Sequence, residues 1–97
     1  MNDLFEAISA PIRRAIMDEL AERDGQTLFE LCSRLAMKHG ITATRQCISQ
    51  HLDILESAEL VSTTRQGRYK FHYFCPEPLN QIVARWLSTN KATNKGR

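Results

Sequence analysis

The stretch Thr44-Arg45-Gln46-Cys47-Ile48-Ser49-Gln50-His51-Leu52-Asp53-Ile54-Leu55-Glu56-Ser57-Ala58-Glu59-Leu60-Val61 decides how the chain is read. With about 100° of rotation per helical residue, Ile48, Leu52, Leu55 and Glu59 fall in one narrow stripe. The first three are apolar, as a helix docked on a core requires. The opposite face carries Gln46, Gln50, Asp53 and Ser57, with Ser49 on one flank and Cys47 on the other. Amides and a hydroxyl in the first two turns can pair with base edges in a major groove, where Gln meets adenine bidentately and Ser meets several bases. An ordinary solvated helix face has the same composition, so these residues alone leave both readings open.

The whole pattern resembles the recognition helix of winged helix-turn-helix regulators of the ArsR type. Members of that family read Ser-x-His-Leu-x-x-Leu-x-x-Ala-x-Leu-Val, and Ser49, His51, Leu52, Leu55, Ala58, Leu60 and Val61 match it in register, seven of thirteen positions. The resemblance implies an α+β fold with four helices, a two-stranded β-wing and a C-terminal helix. It further implies a cytoplasmic homodimer that binds double-stranded DNA at an inverted repeat and represses transcription.

Upstream, Asn2 or Asp3 can cap a short helix presenting Leu4, Phe5 and Ile8. The run Ile8-Ser9-Ala10-Pro11-Ile12-Arg13-Arg14-Ala15-Ile16 resembles the family's second-helix opening, and Pro11 suits a first helical position because its missing N–H is unneeded there. Ile12, Ile16 and Leu20 give that helix its inner face, and Gly25 ends the element. Arg13 and Arg14 either approach phosphate or, the favoured role, form salt bridges to Asp18 or to another element. Thr27 and Glu30 form a capping box for a third helix over residues 28–38, with Leu28, Leu31, Leu35 and Cys32 inward and Gly40 as its stop. Between that stop and Thr44 the chain is about five residues longer than the family pattern, so either the third helix or the turn must be extended.

Downstream the periodicity changes to two. Residues 60–65 and 68–74 read as strands joined by Gln66-Gly67, with Tyr69, Phe71 and Tyr73 on one face and Lys70, His72 and Phe74 on the other. Arg65 and Arg68 flank the tip, where a guanidinium can reach phosphate or a narrow minor groove. The DNA-contacting set is therefore Thr44, Arg45, Gln46, Ser49 and Gln50 from the helix, with Arg65, Arg68 and Lys70 from the wing. Pro76 and Pro78 open a last helix with Leu79, Ile82, Val83, Trp86 and Leu87 at helical spacing. Together with Leu4, Phe5 and Ile8 they exceed what a small core needs, so both ends of the chain are expected to form the dimer interface. The division is a DNA-binding and dimerisation domain over residues 1–87 and a basic, disordered tail over 88–97.

Charge supports this division. Residues 1–30 carry seven acids against three bases, residues 31–75 six bases against three acids, and residues 76–97 four bases against Glu77. The basic charge coincides with the recognition region and the tail, as a polyanion-binding surface requires. A chain of 97 residues buries only about 60 to 65 % of its unfolded surface, and such domains are often completed by a second subunit. Neither a membrane span nor a signal peptide is expected.

Metal, redox and catalytic chemistry find little support. The family's thiolate motif, Glu-Leu-Cys-x-Cys, becomes Glu30-Leu31-Cys32-Ser33-Arg34, with a cation where the second ligand belongs, and the last helix supplies no Asp, His or Glu ligand. His39, His51 and His72 lie on three elements, so no metal or cofactor is expected, and no effector is identified. Cys32, Cys47 and Cys75 lack disulfide-framework spacing. No Gly-rich phosphate loop, nucleophile elbow or paired acids are visible, which argues against an enzyme. Two alternatives stay open. One is a thiol-responsive regulator using Cys47, in a first turn near Arg45, or Cys32. The other is a winged-helix protein-interaction module, which would need neither the basic wing nor the polar helix face.

Overall fold

The computed structural model describes residues 3–88. Helix α1 (Leu4–Ala7) is capped by the Asp3 carboxylate, which accepts from the Phe5 N–H, while Asn2 lies outside the described residues. Helix α2 (Pro11–Glu22) starts with Pro11 in its first turn and buries Ala15, Ile16 and Leu20 together with two charged residues, Arg13 and Glu19. Arg13 takes the favoured role, an ion pair to another element, with the Glu6 carboxylate of α1 at 3.7 Å and not with Asp18. Arg13 and Arg14 both turn back onto α1, where Arg14 donates to the Ile8 carbonyl at 2.8 Å and Arg13 is the more deeply buried.

Helix α3 (Leu28–His39) opens with the expected capping box: the Glu30 N–H donates to the Thr27 hydroxyl at 3.2 Å and the Thr27 N–H to the Glu30 carboxylate at 2.9 Å. It gains only His39 over the expected span. The extra family-relative length therefore enters the turn, where Ile41 and Ala43 pack against the core. Helix α4 (Arg45–Ser57) is capped by Thr44, whose hydroxyl accepts from the Cys47 N–H at 3.0 Å, and buries Ile48, Leu52 and Leu55. Glu59 departs from the expected stripe. The helix has ended before it, and Glu59 sits exposed at φ 64°, where the left-handed backbone turns the chain so that Leu60 and Val61 enter the core.

Strands β1 (Val61–Gln66) and β2 (Tyr69–Phe74) form an antiparallel hairpin with Val61 opposite Phe74, Thr63 opposite His72 and Gln66 opposite Tyr69. The two turn residues are Gly67 and Arg68, one place later than expected, because Gly67 with φ 63° takes the first turn position and Gln66 stays paired. The hairpin is tied to the loop before α3. The His72 N–H donates to the Gln26 carbonyl at 2.8 Å, the His72 carbonyl accepts from the Gln26 N–H at 3.2 Å, and the Phe74 N–H donates to the Asp24 carboxylate at 2.8 Å. Gly25, at φ 74°, lies under the Tyr73 ring, so a side chain there would meet both backbone strain and the ring.

The closing helical segment, residues 77–88, is less regular than a single α-helix. It begins as a 3-10 turn (Glu77–Leu79), passes through one α-turn (Asn80–Ile82) and ends wide, with π-type spacing, over Val83–Ser88. The rest of the expected tail lies outside the described residues. The core joins all four helices and the hairpin through Leu4, Ile16, Leu20, Leu31, Leu35, Ile48, Leu55 and Val61, each such burial contributing roughly 1.5–3 kcal/mol.

Glu19 is the unexpected core residue. Its side chain is fully buried and is met by Arg34, by Lys38 at 3.4 Å, by His39 at 3.4 Å and by the Gln26 amide at 3.2 Å. Arg34, in the place of a metal-binding cysteine, is thus a structural ion-pair partner. Burial alone would raise the Glu19 pKa, but hydrogen bonds from Arg34, Gln26 and Lys38 outweigh it and lower the value from 4.5 to about 2. A carboxylate depressed in this way contributes stability that is present above pH 4.5 and is lost as pH falls toward 2. Chemical denaturation across that window should show a steep loss in the wild type and a shallower one in Glu19→Gln. Equal slopes would assign the acid loss to other carboxylates.

Candidate nucleic-acid interface

Helix α4 offers the solvent two adjoining surfaces. Gln46, Gln50, Asp53 and Ser57 point outward and are exposed, as the helical wheel requires of positions opposite the buried stripe. Arg45 and Ser49 lie on the flank facing the hairpin and line a groove walled by the first turn of α3 and by the wing. Arg65, Arg68 and Lys70 line the same groove from the wing side, so five of the eight sequence-expected residues are brought together around one concave surface. Thr44, Gln46 and Gln50 stand outside it, Thr44 at the helix start and the two amides on the outward face.

The groove also contains residues that the sequence reading did not assign to it. Thr27, Leu28, Phe29 and Glu30 supply the α3 wall, and Tyr69 and Phe71 the wing wall. The capping box at Thr27 was the sequence signal for where this wall begins, but not for what it faces. Four cations, Arg45, Arg65, Arg68 and Lys70, share the groove with Glu30, Asp53 and Glu56. Two of the acids have protein partners: Glu30 is held by the Thr27 cap, and Glu56 accepts from the Thr63 hydroxyl at 3.4 Å. These contacts fix where the two carboxylates sit without removing their charge, and four cations against three acids leave the groove with a small basic excess.

His72 lies at the base of the wing and is buried. Its Nδ1–H donates to the Gln26 carbonyl at 2.9 Å. Burial lowers its pKa, against the opposing effect of that carbonyl, so the ring serves as a neutral structural donor. Among the described residues no three His, Cys, Asp or Glu side chains converge on a point that could hold a metal. The three cysteines are free and half-buried. Burial pushes the Cys32 thiol up, partly offset by the positive charge of Arg45, which disfavours the thiolate that a redox role for Cys32 needs.

At the two ends of the chain, Phe5 and Trp86 meet edge to face, with ring centroids 5.8 Å apart, and the Arg85 guanidinium lies 5.7 Å and 4.7 Å from the two ring centroids. The ends thus form one patch. Leu4 is buried within the protomer, Ile8, Leu79 and Ile82 are half-buried against its own core, and Phe5, Val83, Trp86 and Leu87 are exposed. No helix among the described residues is long and apolar enough to cross a membrane.

Comparison with known proteins gives a consistent result. A family model described as a helix-turn-helix domain matches residues 8–64. The chain is 43% identical over 84 residues to the HTH-type transcriptional regulator YuzN of Bacillus subtilis, covering 87% of this chain and 91% of that one. It is 35% identical over 96 residues to the transcriptional repressor SdpR of the same organism, covering 97% and 98% of the two chains. A crystal structure of an ArsR family transcriptional regulator superposes with a TM-score of 0.75 at 26% identity, over 96% of this chain and 93% of that one.

If a phosphate backbone follows the groove, the wing arginines supply sequence-independent affinity. Arg65→Ala and Arg68→Ala should each reduce the slope of log K against log salt by about one unit per lost phosphate contact. Titrating a duplex at several salt concentrations measures this. An unchanged slope and affinity would mean that the wing points away from DNA.

Proposed function

Because the chain belongs to the ArsR-type winged helix-turn-helix transcriptional regulators, we propose that it is a cytoplasmic, homodimeric repressor that reads an inverted-repeat operator in duplex DNA. In this reading Gln46, Ser49 and Gln50 contact base edges. Thr44, Arg45, Arg65, Arg68 and Lys70 hold the phosphate backbone. The observation that carries it is the arrangement of α4: an outward row of amides stands beside a groove in which the helix and the wing place four cations together. Bases and backbone of one duplex lie side by side in the same way. Repression is supported by the likeness to SdpR, described as a transcriptional repressor.

The dimer is assigned to the patch that joins the chain ends. Phe5, Val83, Trp86 and Leu87 form its exposed part, with Ile8, Leu79 and Ile82 beneath them, and Leu4 contributes from inside the protomer. Trp86 is half exposed at 50% and Leu87 at 62%, an apolar surface that a second copy would cover. Two-fold symmetry about such a patch presents two copies of α4 to one duplex, with half-sites about one helical turn, roughly 34 Å, or a small multiple of it apart.

Selection of binding sites from random duplexes, followed by sequencing, tests the reading as a whole. A palindromic consensus is the expected result, and recovery of random sequence would overturn it. On the selected site Gln50→Ala should cost about 1 to 3 kcal/mol while leaving affinity for random DNA nearly unchanged. Equal losses on both would reassign Gln50 to the backbone contacts. Trp86→Ala should yield a monomer in sedimentation and bring binding to the selected site down to the non-specific level. A variant that stays dimeric would move the interface to another face.

A further inference from the structure

Arg13 makes contacts that the DNA-binding surface does not explain. Its side chain is only 7% exposed. Nε donates to the Ala7 carbonyl at 2.7 Å, Nη2 donates to the Glu6 carbonyl at 3.0 Å, and Nη1 lies 3.0 Å from Nδ1 of His51. One guanidinium thereby joins the end of α1, the body of α2 and the flank of α4. His51 follows Gln50 directly in the recognition helix, on the side turned away from the groove.

The chemistry of this contact fixes the state of the ring. Arginine has only donors, so Nδ1 must accept, and His51 must be neutral with its proton on Nε2. A protonated imidazole would oppose an N–H to an N–H and place a second positive charge beside a buried guanidinium. Burial, and then the Arg13 charge, lower the His51 pKa below 6.5. The charged groups around the contact are Arg13 from α2 and, on the same guanidinium from α1, the Glu6 carboxylate at 3.7 Å.

Resting on the reading of α4 as the base-reading helix, we propose that Arg13 is a positioning residue that seats α4 through the neutral ring of His51, so that protonation of His51 weakens sequence-specific DNA binding. The sign follows from the contact. The ring is neutral at neutral pH, and below pH 6.5 protonation breaks the contact with Arg13. Non-specific affinity should move the other way, because an added cation strengthens attraction to phosphate. The ratio of specific to non-specific affinity therefore separates positioning from bulk charge.

The experiment uses the full chain, its selected operator and a random duplex of equal length, at fixed ionic strength from pH 7.5 to 5.5. The wild-type ratio should fall about tenfold on acidification, the effect of roughly one lost hydrogen bond. Its midpoint should coincide with that of the His51 ring followed by NMR in the free protein. His51→Asn can present an oxygen near the place of Nδ1, cannot titrate, and has a similar helix propensity. Its ratio should stay near the wild-type value at pH 7.5 and not fall. Arg13→Lys keeps the charge but cannot serve three acceptors in a fork, so its ratio should be reduced by a similar factor at every pH while random-duplex affinity is unchanged. An acid fall that persists in His51→Asn, a midpoint unrelated to the ring, or a normal ratio in Arg13→Lys overturns the proposal. Absence of wild-type binding to either duplex would instead sink the reading of α4 as a DNA-binding helix. In that case amide exchange of α4 in free wild type, corrected for intrinsic rates, still decides the seating: protection should fall with protonation of His51, and constant protection would refute it.

Discussion

The structure depends on the burial of a single carboxylate. Glu19 has no access to water, and a charge in that position is tolerable only because Arg34, Lys38 and Gln26 converge on it. Arg34 and Lys38 reach it from α3, so α2 and α3 can pack at one separation and one rotation. Gln26 extends the constraint: its side-chain amide donates to Glu19 and, at 2.7 Å, to the Arg23 carbonyl, while its backbone pairs with His72 in β2. A continuous polar chain therefore runs from α3 through α2 and the intervening loop to the wing. Buried ion pairs contribute little net stability compared with apolar packing, and their effect here is to specify geometry. The geometry specified is the distance between the wing and the helices that form the other walls of the groove.

Periodicity made the helices legible from the sequence. Ile48, Leu52 and Leu55 identify the inner face of α4 because three apolar residues at helical spacing leave one solution. Thr27 with Glu30 marks a helix start because a hydroxyl three residues before an orphan N–H has an evident partner, whereas the same role of Thr44, expected only as a DNA contact, came from the structure. What escaped the reading depended on partners distant in sequence or on backbone conformation. Arg34 looked like a failed metal ligand because its partner, Glu19, lies in another helix. Arg13 was expected to form a salt bridge, and it does so with Glu6, but nothing local reveals its stronger contacts to the carbonyls of Glu6 and Ala7. Glu59 fitted the helical stripe, yet its backbone is left-handed, a conformation that spacing cannot report. The hairpin was read correctly and its turn misplaced by one residue, since Gly67 permits two registers and the pairing of Gln66 with Tyr69 chooses between them.

The groove combines both kinds of legibility. Arg45, Ser49, Arg65, Arg68 and Lys70 were identified by residue type and by their place on the expected helix and wing, but their convergence is a tertiary fact. Its acids were visible in the sequence too, three of them against the four cations. The cap at Thr27 and the hydroxyl of Thr63 each engage one of them.

The short first helix shows how these constraints meet. Four residues cannot hold a helical conformation by themselves, since isolated helices shorter than about 12–15 residues are marginal in water. Helix α1 is retained by burial of Leu4 and by the two arginines of α2, which donate to the carbonyls of Ala7 and Ile8 at its C-terminus and add to the Ser9 contacts on that of Glu6. Phe5 is thereby presented to Trp86, and the apolar patch between the chain ends owes its shape to polar contacts behind it. The same Arg13 that secures the back of this patch reaches His51 in α4. Any partner that covers Phe5 and Trp86 thus rests on a helix only one guanidinium away from the residues beside Gln50, and packing at the patch and the seating of α4 share a side chain.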